Sequence, residues 1–87
     1  MKILYTKDFI KSYKKLNNYD KKSVDKILKI FSKNPKNNKL RNHPLQGYKE
    51  KIRSIDVKFD LRILFYQKNN YLKVIMLDIG THSQLYG

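Results

Sequence analysis

The fold of this 87-residue chain is decided by one stretch near its C-terminal end, Asp60-Leu61-Arg62-Ile63-Leu64-Phe65-Tyr66-Gln67-Lys68-Asn69-Asn70-Tyr71-Leu72-Lys73-Val74-Ile75-Met76-Leu77-Asp78-Ile79. Residues 60–67 and 71–79 are rich in β-branched and aromatic side chains, which favour strands. The intervening Lys68-Asn69-Asn70 is typical of a tight turn, because asparagine tolerates the left-handed backbone that such a turn requires. The stretch therefore predicts a β-hairpin. Runs that are apolar without alternation, such as residues 74–77, predict strands covered on both faces near their centres.

Working outward from the hairpin, the neighbouring segments complete a sheet. Residues 49–57 form another strand-like segment, and residues 2–6 form a short apolar one at the start of the chain. Residues 36–47 are polar and irregular, which indicates a loop. Gly80 is expected to end the last strand, leaving a short C-terminal extension.

The N-terminal half predicts two helices. Apolar residues recur at helical spacing over residues 7–17, with Thr6 placed as the N-cap. The same spacing recurs over residues 21–33, where Asp20 is the predicted cap and Asn34-Pro35 ends the helix. The element order is β-α-α-β-β-β. It predicts the α+β class, with an antiparallel sheet and a helical hairpin packed on one face.

The length and the net charge of the chain limit the classes of function and partner that it can have. A chain of this length predicts one domain, residues 1–87, with a small core. The formal net charge is +13, of which +10 lies in residues 1–42 and +3 in residues 43–87. Such a surface attracts phosphate backbones, acidic proteins or anionic membranes. A membrane role is disfavoured, because the sheet needs the apolar faces of the helices. Without cysteine, a long apolar run or a signal peptide, the cytoplasm is the expected location.

Two histidines carry the candidate chemistry. One lies in Arg41-Asn42-His43-Pro44-Leu45-Gln46-Gly47 and the other in Ile79-Gly80-Thr81-His82-Ser83-Gln84-Leu85-Tyr86. Imidazole is the side chain that ordinarily changes its charge near neutral pH, and among many cations it can move protons on a bound polyanion. The two are separated by 38 residues and the carboxylates are scattered, which argues against a metal site. The pattern suggests RNA backbone chemistry without a metal.

The second half of the chain resembles the RelE/ParE toxin superfamily, and within it the YafQ-like ribosome-dependent mRNA interferases of type II toxin–antitoxin systems. Four segments in matching order carry the resemblance: His43-Pro44-Leu45-Gln46-Gly47, Arg53-Ser54-Ile55, Asp60-Leu61-Arg62-Ile63-Leu64-Phe65-Tyr66 and Leu77-Asp78-Ile79-Gly80-Thr81-His82-Ser83-Gln84-Leu85-Tyr86. The resemblance implies a toxin that enters the ribosomal A site and cuts mRNA. It also implies neutralisation by an acidic antitoxin, and no small-molecule cofactor.

The resemblance also implies site residues. The positions that it marks as catalytic are His43, Asp60, His82 and Tyr86. The positions expected to bind RNA phosphate are Arg53, Arg62, Lys49 and Lys51. Each has a purely structural alternative: His82 could cap a strand, His43 could make a loop hydrogen bond, and the charged residues could form ion pairs. Tyr86 could stack on a base or anchor the chain terminus.

Three positions depart from the family pattern. Asp56 stands where relatives usually have a further histidine, Leu61 where they have a tryptophan, and Asp78 where they have an arginine. Arg62 or Arg53 could supply the missing charge. Two other functions therefore stay open. One is a non-cleaving inhibitor of DNA gyrase, as in the ParE branch, and the other is a degenerate toxin retained as an antitoxin-binding module.

Overall fold

The computed structural model describes residues 1–45, 47 and 51–86. The strands within these residues are β1 (Lys2–Tyr5), β2 (His43–Pro44), β3 (Ile52–Lys58), β4 (Leu61–Lys68) and β5 (Lys73–Gly80). The helices are α1 (Lys7–Lys15), α2 (Asn18–Lys33), a 3-10 helix (Asn38–Leu40) and α3 (His82–Tyr86). The predicted α+β class and the order of its main elements are confirmed. The predicted loop over residues 36–47 instead contains the 3-10 helix and β2.

The strands form one five-stranded sheet in the order β1-β5-β4-β3-β2. The last three long strands are an antiparallel meander, as the sequence predicts. The sheet is not antiparallel throughout, however, because β1 pairs with β5 in parallel. A parallel pair needs a long crossover connection, and here everything between β1 and β5 supplies it. The N-terminal strand β1 is therefore one edge strand of the sheet, and the two-residue β2 is the other.

The β4–β5 turn forms as predicted. Asn69 and Asn70 adopt left-handed conformations, with φ of 55° and 53°. Tyr71 also has a positive φ, 68°, and its backbone N–H donates to the Gln67 side-chain oxygen at 2.8 Å. This extended turn delays the start of β5 to Lys73, two residues after the predicted boundary.

The core lies between the sheet and the helices α1 and α2. Its fully buried centre includes Phe31 and Phe65, whose rings meet edge to face with centroids 5.0 Å apart. Ile55, Ile63 and Ile79 lie opposite one another on adjacent strands and are buried. Burying such side chains is the main source of stability in a small domain.

Side-chain caps fix where the two helices begin. The Thr6 Oγ accepts the backbone N–H of Phe9 at 3.0 Å, so the predicted cap of α1 is confirmed. The predicted Asp20 cap of α2 is wrong. Asn17 is the cap, because its backbone is extended and its Oδ1 accepts the Asp20 N–H at 2.7 Å. Asp20 lies instead in the first turn of the helix, where its charge is favourable, and pairs with Lys58.

One side-chain hydrogen bond links the two long helices on their outer side. The Tyr13 hydroxyl donates to Asp25 Oδ1 at 2.8 Å. This hydrogen bond raises the pKa of Tyr13, and burial of the hydroxyl and the negative charge of Asp25 act in the same direction. The phenol therefore stays protonated at neutral pH and continues to donate.

Candidate active site

The sheet has a second face, opposite α1 and α2, which we call the open face. Asp56 and Arg62 alternate along their strands with the core residues Ile55 and Ile63, so they point away from the core. Asp56 is directly opposite Arg62, and Arg62 is directly opposite Gly80 on β5. The strand register therefore builds a charged row across the open face, close to the β3–β4 turn.

The carboxylate of Asp56 lies between two guanidinium groups. Its Oδ1 is 3.7 Å from the Nε of Arg62, and its Oδ2 is 3.4 Å from the Nε of Arg41. The Asp56 Oδ1 and Arg62 Nε atoms are buried and make no hydrogen bond within the described residues, so charge attraction alone joins them. One carboxylate shared by two cations leaves a net positive charge, which can attract a phosphate.

His43 lies at the β2 edge of the open face. Strand pairing places it opposite Ser54 of β3, and its side chain is exposed. Its Nδ1 is 2.6 Å from the backbone carbonyl oxygen of Arg41. A carbonyl can only accept, so this contact assigns the hydrogen to Nδ1. The Nε2 of the neutral ring is then an acceptor that can take a proton from a substrate.

A capping box places His82 at the other side of the open face. The Gln84 backbone N–H donates to Thr81 Oγ1 at 3.2 Å, while the Thr81 N–H donates to Gln84 Oε1 at 2.9 Å. Residues 82–86, which the sequence indicated only as part of a short C-terminal extension, thus form the helix α3. Gly80 allows this helix to fold back, because a Cβ there would lie only 3.1 Å from the Gln84 side chain.

Two of the predicted catalytic residues contact His82. The Asp60 Oδ1 accepts the backbone N–H of His82 at 3.3 Å, which ties the β3–β4 turn to the start of α3. The Tyr86 ring lies one helical turn further on, with its centroid 4.5 Å from that of His82 at an interplanar angle of 68°. Tyr86 therefore limits the orientations that the imidazole can adopt. Its hydroxyl is buried without a hydrogen-bond partner among the described residues.

The two histidines approach the charged row from opposite sides. His43 is on β2, and His82 follows β5, so β3 and β4 lie between them. Three interstrand spacings, about 14 Å in a flat sheet, separate β2 from β5. His82 also lies four residues beyond Asp78, which is the β5 residue in register with His43. The side chains are therefore suited to act on different atoms of one extended substrate, with Arg62 between them.

The remaining predicted phosphate-binding residues do not all join this site. Arg53 lies directly opposite Phe65, so it is on the core-facing side of the sheet, where its Nε donates to Asn42 Oδ1 at 2.8 Å. Lys51 is exposed just before β3. Lys49 lies outside the described residues.

The structure adds a residue that the sequence reasoning missed. Phe59 is completely exposed at the tip of the β3–β4 turn. It is next to Asp60, which contacts His82. The sequence could have indicated this residue, because Phe59 is an apolar aromatic residue between the charged Lys58 and Asp60. At the tip of a two-residue turn, such a side chain cannot reach the core. A fully exposed ring at this place can stack on an unpaired base.

Within the described residues, no three histidine or acidic side chains come together in a group that could hold a metal ion. None of the helices in the described segments has the length and hydropathy needed to cross a membrane.

The sheet with the helical hairpin on one of its faces is the fold of the RelE/ParE-type proteins. The family described as "Bacterial toxin of type II toxin-antitoxin system, YafQ" matches residues 1–87. This chain belongs to the YafQ toxin family.

Solved structures agree with this assignment. A metal-bound toxin from Helicobacter pylori is 28% identical, with 99% of each chain covered and a TM-score of 0.82. YafQ from E. coli strain BL21(DE3) has the same TM-score of 0.82 at 21% identity, covering 98% of this chain and 97% of its own. The toxin–antitoxin complex DinJ–YafQ from E. coli gives a TM-score of 0.72 at 23% identity, covering 98% and 96%. The comparison with curated proteins found no match.

Proposed function

We propose that this toxin is a metal-independent endoribonuclease that cuts mRNA on the ribosome and so inhibits translation. One observation carries the proposal: two exposed imidazoles flank an arginine on the open face of the sheet. RNA cleavage needs a base, a cation at the phosphate and an acid, and these three groups can supply them.

The first proton transfer is assigned to His43. Its Nδ1 donates to the Arg41 carbonyl oxygen, so its Nε2 can take the proton of a ribose 2′-hydroxyl. The 2′-oxygen then forms a bond to phosphorus, and the bond from phosphorus to the 5′-oxygen breaks. The products are a 2′,3′-cyclic phosphate and a 5′-hydroxyl. His43 keeps the proton until it is released to solvent.

The second proton transfer is assigned to His82, which gives a proton to the departing 5′-oxygen. Asp60 and Tyr86 are positioning residues for this step, because they contact the backbone and the ring of His82. Arg62 would neutralise the charge that builds on the phosphoryl oxygens, and its side chain remains 28% exposed beside Asp56.

The experiment that tests the proposal is cleavage of an mRNA on preassembled ribosome complexes that survive EDTA. We expect codon-linked cuts that persist in EDTA and carry 2′,3′-cyclic phosphate ends. We expect no comparable cutting of the same mRNA without ribosomes, because the basic surface favours docking to ribosomal RNA phosphates. Loss of cleavage in EDTA, with rescue by one divalent ion, would contradict side-chain proton transfer. Inhibition of DNA gyrase without any RNA cleavage would identify the toxin as a ParE-like inhibitor.

We also propose an acidic antitoxin as the partner. E. coli YafQ has been solved in complex with DinJ. In this chain +10 of the formal charge lies in residues 1–42, which include α1 and α2. An acidic segment is expected to lie partly on this helical hairpin and partly over His82, where it would block substrate.

Electrostatic attraction mainly accelerates encounter, so we expect the association rate with the antitoxin to fall steeply as salt increases. Stopped-flow mixing over a salt series measures this rate, and the dissociation rate from the same series is the internal control. An association rate that does not depend on salt would contradict the charged docking surface.

Phe59 offers a test of base stacking at the turn tip. Replacing Phe59 with alanine is expected to weaken RNA binding roughly tenfold, since stacking on one base contributes about 1–3 kcal/mol. Replacement with tyrosine should keep the affinity, because the ring is retained. The side chain is fully exposed, so thermal stability should not change. Equal affinities of the alanine variant and the wild type for the same RNA would exclude this role.

A further inference from the structure

A pocket of about 300 Å³ lies at the β2 edge of the sheet, away from the open face. We call it the edge pocket. Its charged and aromatic lining comprises Lys36, Arg41, Arg53 and Tyr71, together with three asparagines. Three of these side chains are cationic, and none of the described lining residues is acidic. The pocket is therefore strongly positive.

Arg53 is held in place inside the edge pocket by neutral groups. Its Nε donates to Asn42 Oδ1 at 2.8 Å. Asn42 is itself fixed, because its side-chain nitrogen donates to the Pro35 carbonyl at 2.9 Å and to the Tyr71 hydroxyl at 3.0 Å. An asparagine orients a guanidinium without neutralising its charge. The terminal nitrogens of Arg53 can then bind two oxygens of an anion at once.

Arg41 connects the edge pocket to the open face. It lines the pocket, and its Nε is also 3.4 Å from Asp56 on the open face. Arg41 adopts a left-handed conformation with φ of 50°, at the end of the 3-10 helix. Such a backbone is uncommon for arginine, and it turns the chain directly into β2 and His43. Arg41 thus belongs to both positive surfaces, at the β2 edge of the sheet.

We propose that the edge pocket binds a backbone phosphate of the same RNA strand whose scissile phosphate lies on the open face. The strand would pass over the β2 edge, with Arg41 between the two phosphates and Arg53 and Lys36 around the second. A guanidinium group held in one orientation, with an ammonium group nearby, suits a phosphate, and phosphates are the commonest anions that nucleic-acid-binding proteins contact. This inference rests on the proposed RNA substrate. It adds a subsite that holds the strand without taking part in the chemistry.

The test measures binding of short 2′-O-methyl RNA, which cannot be cleaved because its nucleophile is blocked. Arg53→Gln is expected to weaken binding roughly tenfold and to lower the slope of log affinity against log salt by about 0.7, the value for one lost phosphate contact on a single strand. Lys36→Gln should lower the same slope with a smaller loss of affinity, and Arg53→Lys should fall between Arg53→Gln and the wild type. Lys22→Gln, which removes an exposed charge from α2, is the matched control and should bind as the wild type does.

Arg53→Gln with unchanged affinity and salt slope would overturn the subsite, and so would an equal loss in Lys22→Gln. If Arg53→Gln does not fold, Lys36→Gln and Arg53→Lys decide the question, because Lys36→Gln leaves the hydrogen bond from Arg53 to Asn42 intact and Arg53→Lys keeps a cationic donor at position 53. The cleavage assay is separate. A toxin that shows Arg53-dependent RNA binding but never cuts mRNA would overturn the nuclease assignment and leave the subsite standing.

Discussion

Replacing His82 with alanine is expected to lower the single-turnover rate of ribosome-dependent cleavage by about 10²–10⁴-fold, the usual contribution of one proton transfer. Replacing His43 with alanine should also lower the rate strongly, but by a smaller factor. Tyr86 limits the orientations of the His82 ring and Asp60 binds its backbone N–H, whereas His43 is held by one hydrogen bond to a backbone carbonyl. Both side chains are exposed, so neither change creates a cavity in the core.

Ser83→Ala is the matched control for the His82 variant, because Ser83 is the exposed neighbour of His82 on α3. It should cleave as the wild type does. Thermal stability and antitoxin affinity should be nearly equal for all of these variants. Wild-type cleavage by His82→Ala would exclude a role in proton transfer. Loss of cleavage together with unfolding would show that His82 is structural.

The elements that could be predicted from the sequence are those with local signals. The β4–β5 turn was predictable because two adjacent asparagines favour the left-handed backbone that Asn69 and Asn70 adopt. Thr6 was recognisable as a cap because it precedes an apolar helical stripe. The start of α2 was harder. Asn17 and Asp20 are both good caps, and only the extended backbone of Asn17 distinguishes them.

Two parts of the site had sequence signals that the prediction did not use. Thr81 and Gln84 have the spacing of a capping box, which indicates the helix α3 that positions His82. Arg53 is two residues before Ile55, and the period of a strand places them on the same side of the sheet. The alternation of side chains along a strand is therefore enough to place Arg53 and Arg62 on different faces of the sheet. Arg62 is next to the buried Ile63 on β4, so it points to the opposite face from the core.

Other parts could not be predicted because they depend on register between distant segments. The two-residue strand β2 is too short to have a pattern of its own, and its pairing with β3 alone places His43 on the open face. The contact of Asp56 with both Arg41 and Arg62 likewise requires that β3, β4 and the end of the 3-10 helix be brought together. The family resemblance places Asp56 where relatives usually have a histidine, but the sequence could not show that two arginines share its charge.

Replacing Arg62 with alanine is expected to lower the cleavage rate by about 10²–10³-fold, because a cation that faces charge developing on the phosphate is lost. Arg62→Lys should recover part of the rate, since the charge remains while the planar fork is lost. Rates are measured in single-turnover assays, with thermal unfolding as the control for the fold.

Asp56→Asn, which removes the negative charge beside Arg62, should strengthen RNA binding. The Asp56 carboxylate lies near both guanidinium groups and competes with substrate phosphate for them. Its neutralisation should therefore tighten RNA binding several-fold and steepen the salt dependence, because two fully charged arginines then face the phosphate. If the carboxylate instead positions Arg62 for the reaction, the same variant will bind RNA more tightly and cleave it more slowly. Weaker RNA binding by Asp56→Asn, with the fold intact, would contradict competition between Asp56 and phosphate. Cleavage by Arg62→Ala at the wild-type rate would exclude Arg62 from the reaction.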